Sequence, residues 1–240
     1  MGALAQTNVQ LIRQVVESGW HDDDLVRLRR AYELAMVLFT GQYRGNGKTQ
    51  VAHHVGTASV LVAGGERPTV VLAGLLHATY TLGEFGTRRG GDDGGRRAHV
   101  RAALGQEGAD VEALVHAYQG LDWDGPTIAR LTAEPAPGPC RQRDLVALRV
   151  ANAADEYADF GMRLEPHRHD PHDVEAPEAV DRIVALADAH GLSALAGALR
   201  AHYERGTAVP PPPVLITPAA GSVLVPPTSH RRRLLVAVQE

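Results

Sequence analysis

The stretch Val70-Val71-Leu72-Ala73-Gly74-Leu75-Leu76-His77 is an unbroken apolar run that ends in a histidine. Pro68 precedes it at a position where the first turn of a helix tolerates proline, so the sequence predicts a buried helix that ends near His77. An earlier stretch, from about Thr49 to Ala63, also predicts a helix and carries His53, which lies 24 residues before His77. Two successive helices are therefore expected to present one imidazole each.

This layout resembles the HD superfamily of helical metal-dependent phosphohydrolases. In that family one helix supplies a first histidine, a His-Asp pair ends the next helix, and a later helix supplies a last aspartate. Residues 47–57 resemble the region around the first metal-binding histidine of stringent-response alarmone hydrolases, with Gly47 six residues ahead of His53. Gly56-Thr57 and the run 75–80 resemble an uncharacterised HD-like group. The resemblance spans roughly residues 44–160 and implies an HD-like helical bundle whose two histidines face each other across a hollow.

The residues that carry the family's chemistry differ in this chain. Ala78 follows His77 where the family has aspartate, and Asn152 occupies the place of the last aspartate. Thr81 and Leu82 stand where alarmone hydrolases carry a catalytic Glu-Asp pair. The resemblance therefore implies the framework of a metal site with degenerate ligands.

Two imidazoles and an amide offer no anionic ligand, so Mn²⁺ or Mg²⁺ should bind poorly. A transition metal such as Zn²⁺ can still use His53 and His77 if Asp155, one helical turn after Asn152, is recruited. The cofactor prediction is accordingly none, or a weakly bound divalent transition metal. Ordinary phosphohydrolase activity, which needs an ion to polarise phosphate, is the less favoured function.

Two main functional hypotheses follow. The first is an atypical enzyme that acts on a small polar molecule by acid-base chemistry, in which His53, His77 and Tyr80 are catalytic. The substrate-binding residues would then be Asn152, Arg149, Thr81 and His54. The second is a non-catalytic protein that binds a ligand or a partner. Under it the two histidines are hydrogen-bonded core residues, His54 is a packing residue, Tyr80 makes one hydrogen bond, and Arg149 lies on the surface.

Helical periodicity predicts a mostly α fold along most of the chain. The other expected helices cover about 4–18, 22–39, 96–104, 109–118, 143–160, 177–190 and 193–205. The packed face of the first should hold Val9, Ile12, Val15 and Val16. Asp22 to Asp24 should supply the N-cap and the first-turn negative charge of the second. Residues 83–95 read as a glycine-rich loop that can cover a pocket, and residues 121–139 read as irregular.

The helical pattern ends at the four prolines 210–213, which are expected to form a stiff, extended spacer. Short β-prone runs follow at 214–217, 223–225 and 234–238. We therefore predict an HD-like domain over 1–206 and a small β appendage over 207–240. Because so small a sheet is marginal alone, it should pack on the helical body or form a homodimer contact. The loop 167–173, rich in histidine and aspartate, reads as a solvated segment or a site for an adventitious metal ion.

The net charge of −4 over 240 residues gives no global attraction to nucleic acid, and a hydrophobic content of 44% is sufficient for a core. Cys140 is the only cysteine, which excludes an intrachain disulfide. The sequence has no apolar run near the length of a membrane span and no recognisable signal peptide. These features predict a cytoplasmic protein with neither nucleic-acid nor membrane partners. The abundance of Ala, Arg and Gly fits a high-GC bacterial genome, and the expected partner of the site is a small-molecule substrate.

Overall fold

The computed structural model describes residues 4–44, 46–86, 93–105, 108–136, 140–158 and 177–210, with the isolated positions 212, 216–217 and 221–222. The fold of these residues is mostly helical, as predicted. The described residues form eleven helices: α1 (Asn8–Glu17), α2 (Asp22–Phe39), α3 (Gln50–Ala63), α4 (Pro68–Leu76), α5 (Thr79–Leu82), α6 (Asp93–Leu104), α7 (Gly108–Gln119), α8 (Gly125–Ala133), α9 (Arg141–Glu156), α10 (Pro177–Ala189) and α11 (Ser193–Ala208). None of these helices is both long enough and apolar enough to cross a membrane.

Side-chain caps set several of the helix starts. Thr7 forms a reciprocal capping box with Gln10 at α1, and Thr49 accepts the backbone N–H of Ala52 at α3. The predicted aspartate cap of α2 is wrong, because His21 holds the N-cap position without a side-chain hydrogen bond. The predicted first-turn charge is confirmed, since all three aspartates lie in the first turn, where the helix dipole favours negative charge.

The packed face of α1 also differs from the expectation. Leu11 and Val15, one turn apart, are fully buried, whereas Val9 is 66% exposed and Val16 is 52% exposed. The apolar residues of α1 outnumber the positions that can face the core. The periodicity could be read along either of two overlapping stripes, and α1 packs on the stripe that includes Leu11.

The region predicted to be irregular contains α8. Asp124 caps this helix by accepting the backbone N–H of Thr127, and a proline lies in its first turn. Ile128 and Leu131, three residues apart, are its buried positions. The helix was missed because nine residues show only one repeat of the apolar pattern, which the flanking prolines and glycines obscure.

The centre of the molecule is built from α3, α4 and α9, which contact one another. The buried residues of α3 run without a break from 53 to 62, and those of α4 run from 70 to 76. A helix with no polar face must be covered on all sides, so other helices surround both. Leu145, Leu148, Val150, Ala151 and Ala154 of α9 are buried, as predicted.

Two ion pairs fix the start of α9 to the turn between α3 and α4. Arg143 donates to both carboxylate oxygens of Glu66, at 2.7 and 2.9 Å. Arg67 pairs with Asp144. The two contacts hold the first turn of α9 against the α3–α4 unit, so the register of α9 along α3 is set from this end.

Beyond the prolines, β1 (Ile216–Thr217) pairs antiparallel with β2 (Gly221–Ser222). The other predicted β runs, at 223–225 and 234–238, lie outside the described residues, as does the loop 167–173. The domain boundary at 206 and the homodimer contact therefore stay predictions. Of the predicted glycine-rich loop, residues 93–95 belong to α6.

Candidate functional site

Three histidines meet where α3 faces the end of α4. The ring centroids of His53 and His77 lie 5.1 Å apart, and those of His54 and His77 lie 4.4 Å apart in a stacked arrangement. His53 is 1% exposed and His77 is 6% exposed. The fold thus brings the two sequence-predicted imidazoles together, and their protonation follows from the partners of each ring.

Both ring nitrogens of His54 are occupied by protein groups. Its Nδ1 donates to the carbonyl of Leu75 at 2.6 Å, and its Nε2 accepts from the amide of Gln50 at 3.0 Å. Burial, and then the neighbouring histidines, lowers the pKa of His54 well below its ordinary value. His54 is therefore neutral and has no nitrogen left to contact a substrate, which favours its packing role.

His77 is held by its own helix. Its Nδ1 lies 2.8 Å from the carbonyl of Gly74, and because a carbonyl only accepts, this nitrogen carries the proton. Burial lowers the pKa of His77 from 6.5 to about 3. The ring is thus a neutral tautomer at physiological pH, and its Nε2 keeps a lone pair.

His53 and Asp155 form the charged centre of the site. Nδ1 of His53 donates to Oδ2 of Asp155 at 2.7 Å, and both side chains are buried. Burial and the nearby charge of Arg44 lower the pKa of His53, although Asp155 opposes both effects. His53 is therefore a neutral imidazole oriented by a carboxylate. Its Nε2 is buried and has no hydrogen-bond partner among the described residues.

Lys48 and Gly56 secure the carboxylate of Asp155. The Lys48 ammonium donates to both of its oxygens, at 2.6 and 2.8 Å. Burial alone would raise the pKa of Asp155, but the bonds from His53 and Lys48 bring it below the ordinary value. A Cβ on residue 56 would lie 1.8 Å from Oδ1 of Asp155. Glycine at this position is what lets the carboxylate approach α3.

A second buried pair lies beside the first. Arg44 donates to Glu156 at 2.7 Å, and the side chains are 14% and 3% exposed. Arg44 and Lys48 both lie in the α2–α3 connection, where Tyr43 and Thr49 form an isolated bridge. This connection therefore delivers two cations to the two acidic residues that end α9.

On the α7 and α9 side the site is closed by Tyr118, whose ring lies 5.9 Å from that of His77. Asn152 donates to the Tyr118 hydroxyl at 3.3 Å, while its own Oδ1 has no partner among the described residues. Burial raises the pKa of Tyr118, and Arg149 opposes this. Trp123 packs on Tyr118 with the ring centroids 5.4 Å apart. Tyr118 therefore stays protonated and connects His77 to Asn152.

Tyr80 and Thr81, predicted to line the same hollow, make other contacts. The Tyr80 hydroxyl donates to Glu112 at 2.8 Å, and Glu112 also binds Arg97. Thr81 is exposed and accepts from Gln119 at 2.8 Å. Within the described residues, Tyr118 of α7 makes the ring contact with His77, whereas Tyr80 of α5 contacts Glu112.

The arrangement does not fit the metal set expected from the family. Within the part of the chain that the structure describes, no group of three or more His, Cys, Asp or Glu side chains is placed to hold a metal ion. Asp155 binds Nδ1 of His53, on the opposite side of the ring from the free Nε2, and Lys48 covers both of its oxygens. Its carboxylate therefore cannot join an ion held by Nε2 of His53 and by His77.

Sequence reasoning missed Lys48, Arg44, Glu156 and Tyr118. The two basic residues lie in the α2–α3 connection, outside any apolar pattern, and Glu156 is the last residue of α9. The sequence did contain a usable signal. Arg44 and Lys48 are four residues apart, and Asp155 and Glu156 are adjacent at the end of α9. Tyr118 gave no signal beyond its position at the end of an amphipathic helix.

A family model described as a domain of unknown function, DUF6817, matches residues 37–123. The match covers roughly a third of the chain, from the end of α2 to Trp123, and includes all three histidines of the cluster together with Arg44, Lys48 and Tyr118. It stops before α9, which carries Arg149, Asn152, Asp155 and Glu156. A search of curated proteins found no match.

Proposed function

We propose that this chain is an HD-like enzyme that acts on a small polar molecule by metal-independent acid-base chemistry, with His53 as the general base. What supports the HD-like part is that histidines from two successive helices meet, and that a later helix, α9, supplies the aspartate that binds one of them. The localisation that accompanies the proposal is cytoplasmic, in a bacterial cell, with a small molecule as the partner.

One observation carries the proposal: buried polar atoms of this site have no protein partner within the described residues. They are Nε2 of His53, Oδ1 of Asn152 and Nε of Arg149. Each such atom costs about 1–3 kcal/mol when it stays unpaired. Tyr118 contacts Asn152 directly and Arg149 electrostatically, and it lies against His77, which in turn lies against His53. A molecule that binds among these atoms would supply the hydrogen-bond partners that they lack.

His53 has the properties of a base. Its lowered pKa leaves Nε2 unprotonated at neutral pH, and its Nδ1–H is held by Asp155. A carboxylate in that position fixes the tautomer and stabilises the imidazolium that forms when Nε2 takes a proton. Lys48 keeps Asp155 ionised, and the salt bridge moderates the basicity that Asp155 confers.

Tyr118 and His77 supply the opposite functions. The Tyr118 hydroxyl accepts from Asn152 and retains its own proton, so it can donate to an oxygen or nitrogen of the substrate. His77 offers Nε2 as an acceptor that orients a second polar group. His54 forms the wall behind them.

The same unpaired atoms also suit a protein that binds a ligand without converting it. What favours the enzyme is the His53–Asp155 pair, because binding alone does not need a carboxylate behind the imidazole. A metal-dependent phosphohydrolase is not supported, since the donors do not fit an ion.

A metabolite extract offered as a mixed substrate pool tests the proposal. The full chain is incubated with the extract, and consumed compounds are followed by mass spectrometry. We expect the wild type and His190→Gln, which alters a buried histidine outside the cluster, to consume at least one compound that His53→Gln leaves intact. Equal consumption by His53→Gln would remove His53 as the base. Saturable binding of a compound without its consumption would support the ligand-binding alternative.

A further inference from the structure

The charges of the site do not balance. Lys48 pairs with Asp155 and Arg44 pairs with Glu156, so these four side chains sum to zero. The three imidazoles are neutral, because burial lowers the pKa of each. Arg149 remains, and it makes no ion pair with any carboxylate among the described residues. Within the described ranges, the charge of Arg149 is therefore one that no carboxylate neutralises by an ion pair.

The unpaired donors of the site adjoin Tyr118. Nε of Arg149 and Nε1 of Trp123 are buried without partners within the described ranges. Both residues adjoin Tyr118, Trp123 by ring contact and Arg149 through its charge. The Nε–H of Arg149 and the indole N–H of Trp123 each need an acceptor. The positive charge of Arg149 favours an anionic one.

The unpaired acceptors include Nε2 of His53 and Oδ1 of Asn152. Both require a hydrogen-bond donor, and His53, as the proposed base, requires a proton that it can take. A ligand that satisfies the whole site thus carries both an anionic acceptor and an O–H or N–H group.

We infer that the substrate of the proposed enzyme is a small monoanionic carboxylic acid that carries a hydroxyl or amino group. This inference rests on the proposed function and adds the substrate class to it. A carboxylate neutralises Arg149 and matches its forked donors. A phosphate ester, at about −1.5 to −2 charges near pH 7, would leave a net negative charge in a site whose Arg149, Asn152 and Trp123 are partly buried.

The two tryptophans of the chain provide a direct measurement. In a ¹⁵N-labelled full chain the two indole N–H signals are assigned with Trp20→Phe and then followed during titration. The probes are three hydroxy acids of increasing size (glycolate, lactate and mandelate), their neutral amides, and inorganic phosphate at matched ionic strength. We expect at least one hydroxy acid to shift the Trp123 signal saturably, without moving that of Trp20. Its amide and phosphate should leave both signals in place.

Arg149→Met should weaken binding of that hydroxy acid by about ten-fold or more, and Arg149→Lys should recover part of the loss. The matched control is Arg29→Gln, which changes an exposed arginine of α2 and should bind as the wild type does. Circular dichroism confirms that each variant is folded. The inference is overturned if no hydroxy acid binds saturably, or if an amide or phosphate binds as tightly. If His53-dependent consumption is found for a neutral or dianionic compound, the proposed function stands and the charge inference fails.

Discussion

Nδ1 of His53 and Oδ2 of Asp155 are joined by a 2.7 Å hydrogen bond between side chains that are 1% and 0% exposed. The two residues are 102 positions apart in sequence. The bond thus links α3 to the end of α9, and it orients the imidazole at the centre of the proposed site. Several predictions about stability and turnover depend on this contact.

Replacing Asp155 with alanine should destabilise the fold and stop turnover together. The substitution leaves the Lys48 ammonium, whose side chain is 20% exposed, without its carboxylate, and leaves the buried Nδ1–H of His53 without an acceptor. Loss of one partner of a buried pair costs roughly 3–5 kcal/mol, and partial exposure of Lys48 places the expected value near the lower end. Urea denaturation measures it. Asp181→Ala, an exposed site on α10, should change stability by less than about 0.5 kcal/mol, and an equal loss there would contradict the assignment.

Gly56→Ala tests the close approach of Asp155 to α3. The new Cβ would lie 1.8 Å from Oδ1, so the carboxylate must move away from His53 or the two helices must separate. We expect a loss of at least about 2 kcal/mol in the free energy of unfolding and a large fall in turnover. Gly197→Ala is the matched control, because its Cβ meets nothing within 4 Å in α11. That variant should be more stable than the wild type by roughly 0.5–1 kcal/mol. A Gly56→Ala protein as stable as Gly197→Ala would refute the packing argument.

The histidine cluster should make the protein sensitive to acid. Burial lowers the pKa of His77 from 6.5 to about 3, so between these values the unfolded chain binds a proton that the folded chain does not. The free energy of unfolding is therefore highest, as far as His77 is concerned, above pH 6.5, and it declines as the pH falls toward 3. At pH 5 the titration of His77 alone should have lowered the free energy of unfolding by an amount on the order of 2 kcal/mol, relative to its value above pH 6.5.

Unfolding free energies measured at pH 7.5, 6 and 5 test this dependence. His77→Gln should lower stability at pH 7.5 but show a shallower decline with acid than the wild type. An identical slope in both proteins would mean that His77 does not titrate as described. The aspartate adds to the decline only at lower pH, because the pKa of Asp155 lies below its ordinary value and its contribution is lost as the pH falls through it.

The two tyrosines near the end of α4 should respond differently to loss of their hydroxyls. Tyr118→Phe removes the proposed proton donor and should reduce turnover by roughly 10²-fold or more with little change in fold. Tyr80→Phe removes a hydrogen bond to Glu112, which retains Arg97, so it should cost about 1 kcal/mol of stability and leave turnover near the wild-type value. Turnover of the compound identified with the metabolite pool decides between them. The reverse outcome would return the catalytic role to Tyr80.

The local pattern of apolar residues was sufficient to predict α3 and α4, which carry the histidines of the site, and to place those histidines. Apolar runs bounded by Pro68 and by the turn after Ala63 define α3 and α4, and the positions of His53 and His77 follow from them. The partners of these residues could not be found in this way. Lys48 and Asp155 are 107 residues apart and Arg44 and Glu156 are 112 residues apart, so their pairing depends on how α9 docks on α3.

The tyrosine was misplaced for a related reason. Tyr80 is three residues after His77, and proximity in sequence suggested proximity in the site. The helix ends at Leu76, however, and the chain turns through Ala78 into α5, which directs the Tyr80 hydroxyl to Glu112. Tyr118, on α7, reaches His77 only because α4 packs against α7.

The matched segment ends at Trp123, and α9 begins at Arg141. The proposed base and the aspartate that orients it are consequently encoded by separable stretches of the gene. In the proposed enzyme, substitutions confined to α9 would change how the base is oriented and which anion is admitted, while the histidines themselves stay unaltered. If relatives of this chain differ in substrate, we expect their sequences to differ first in α9.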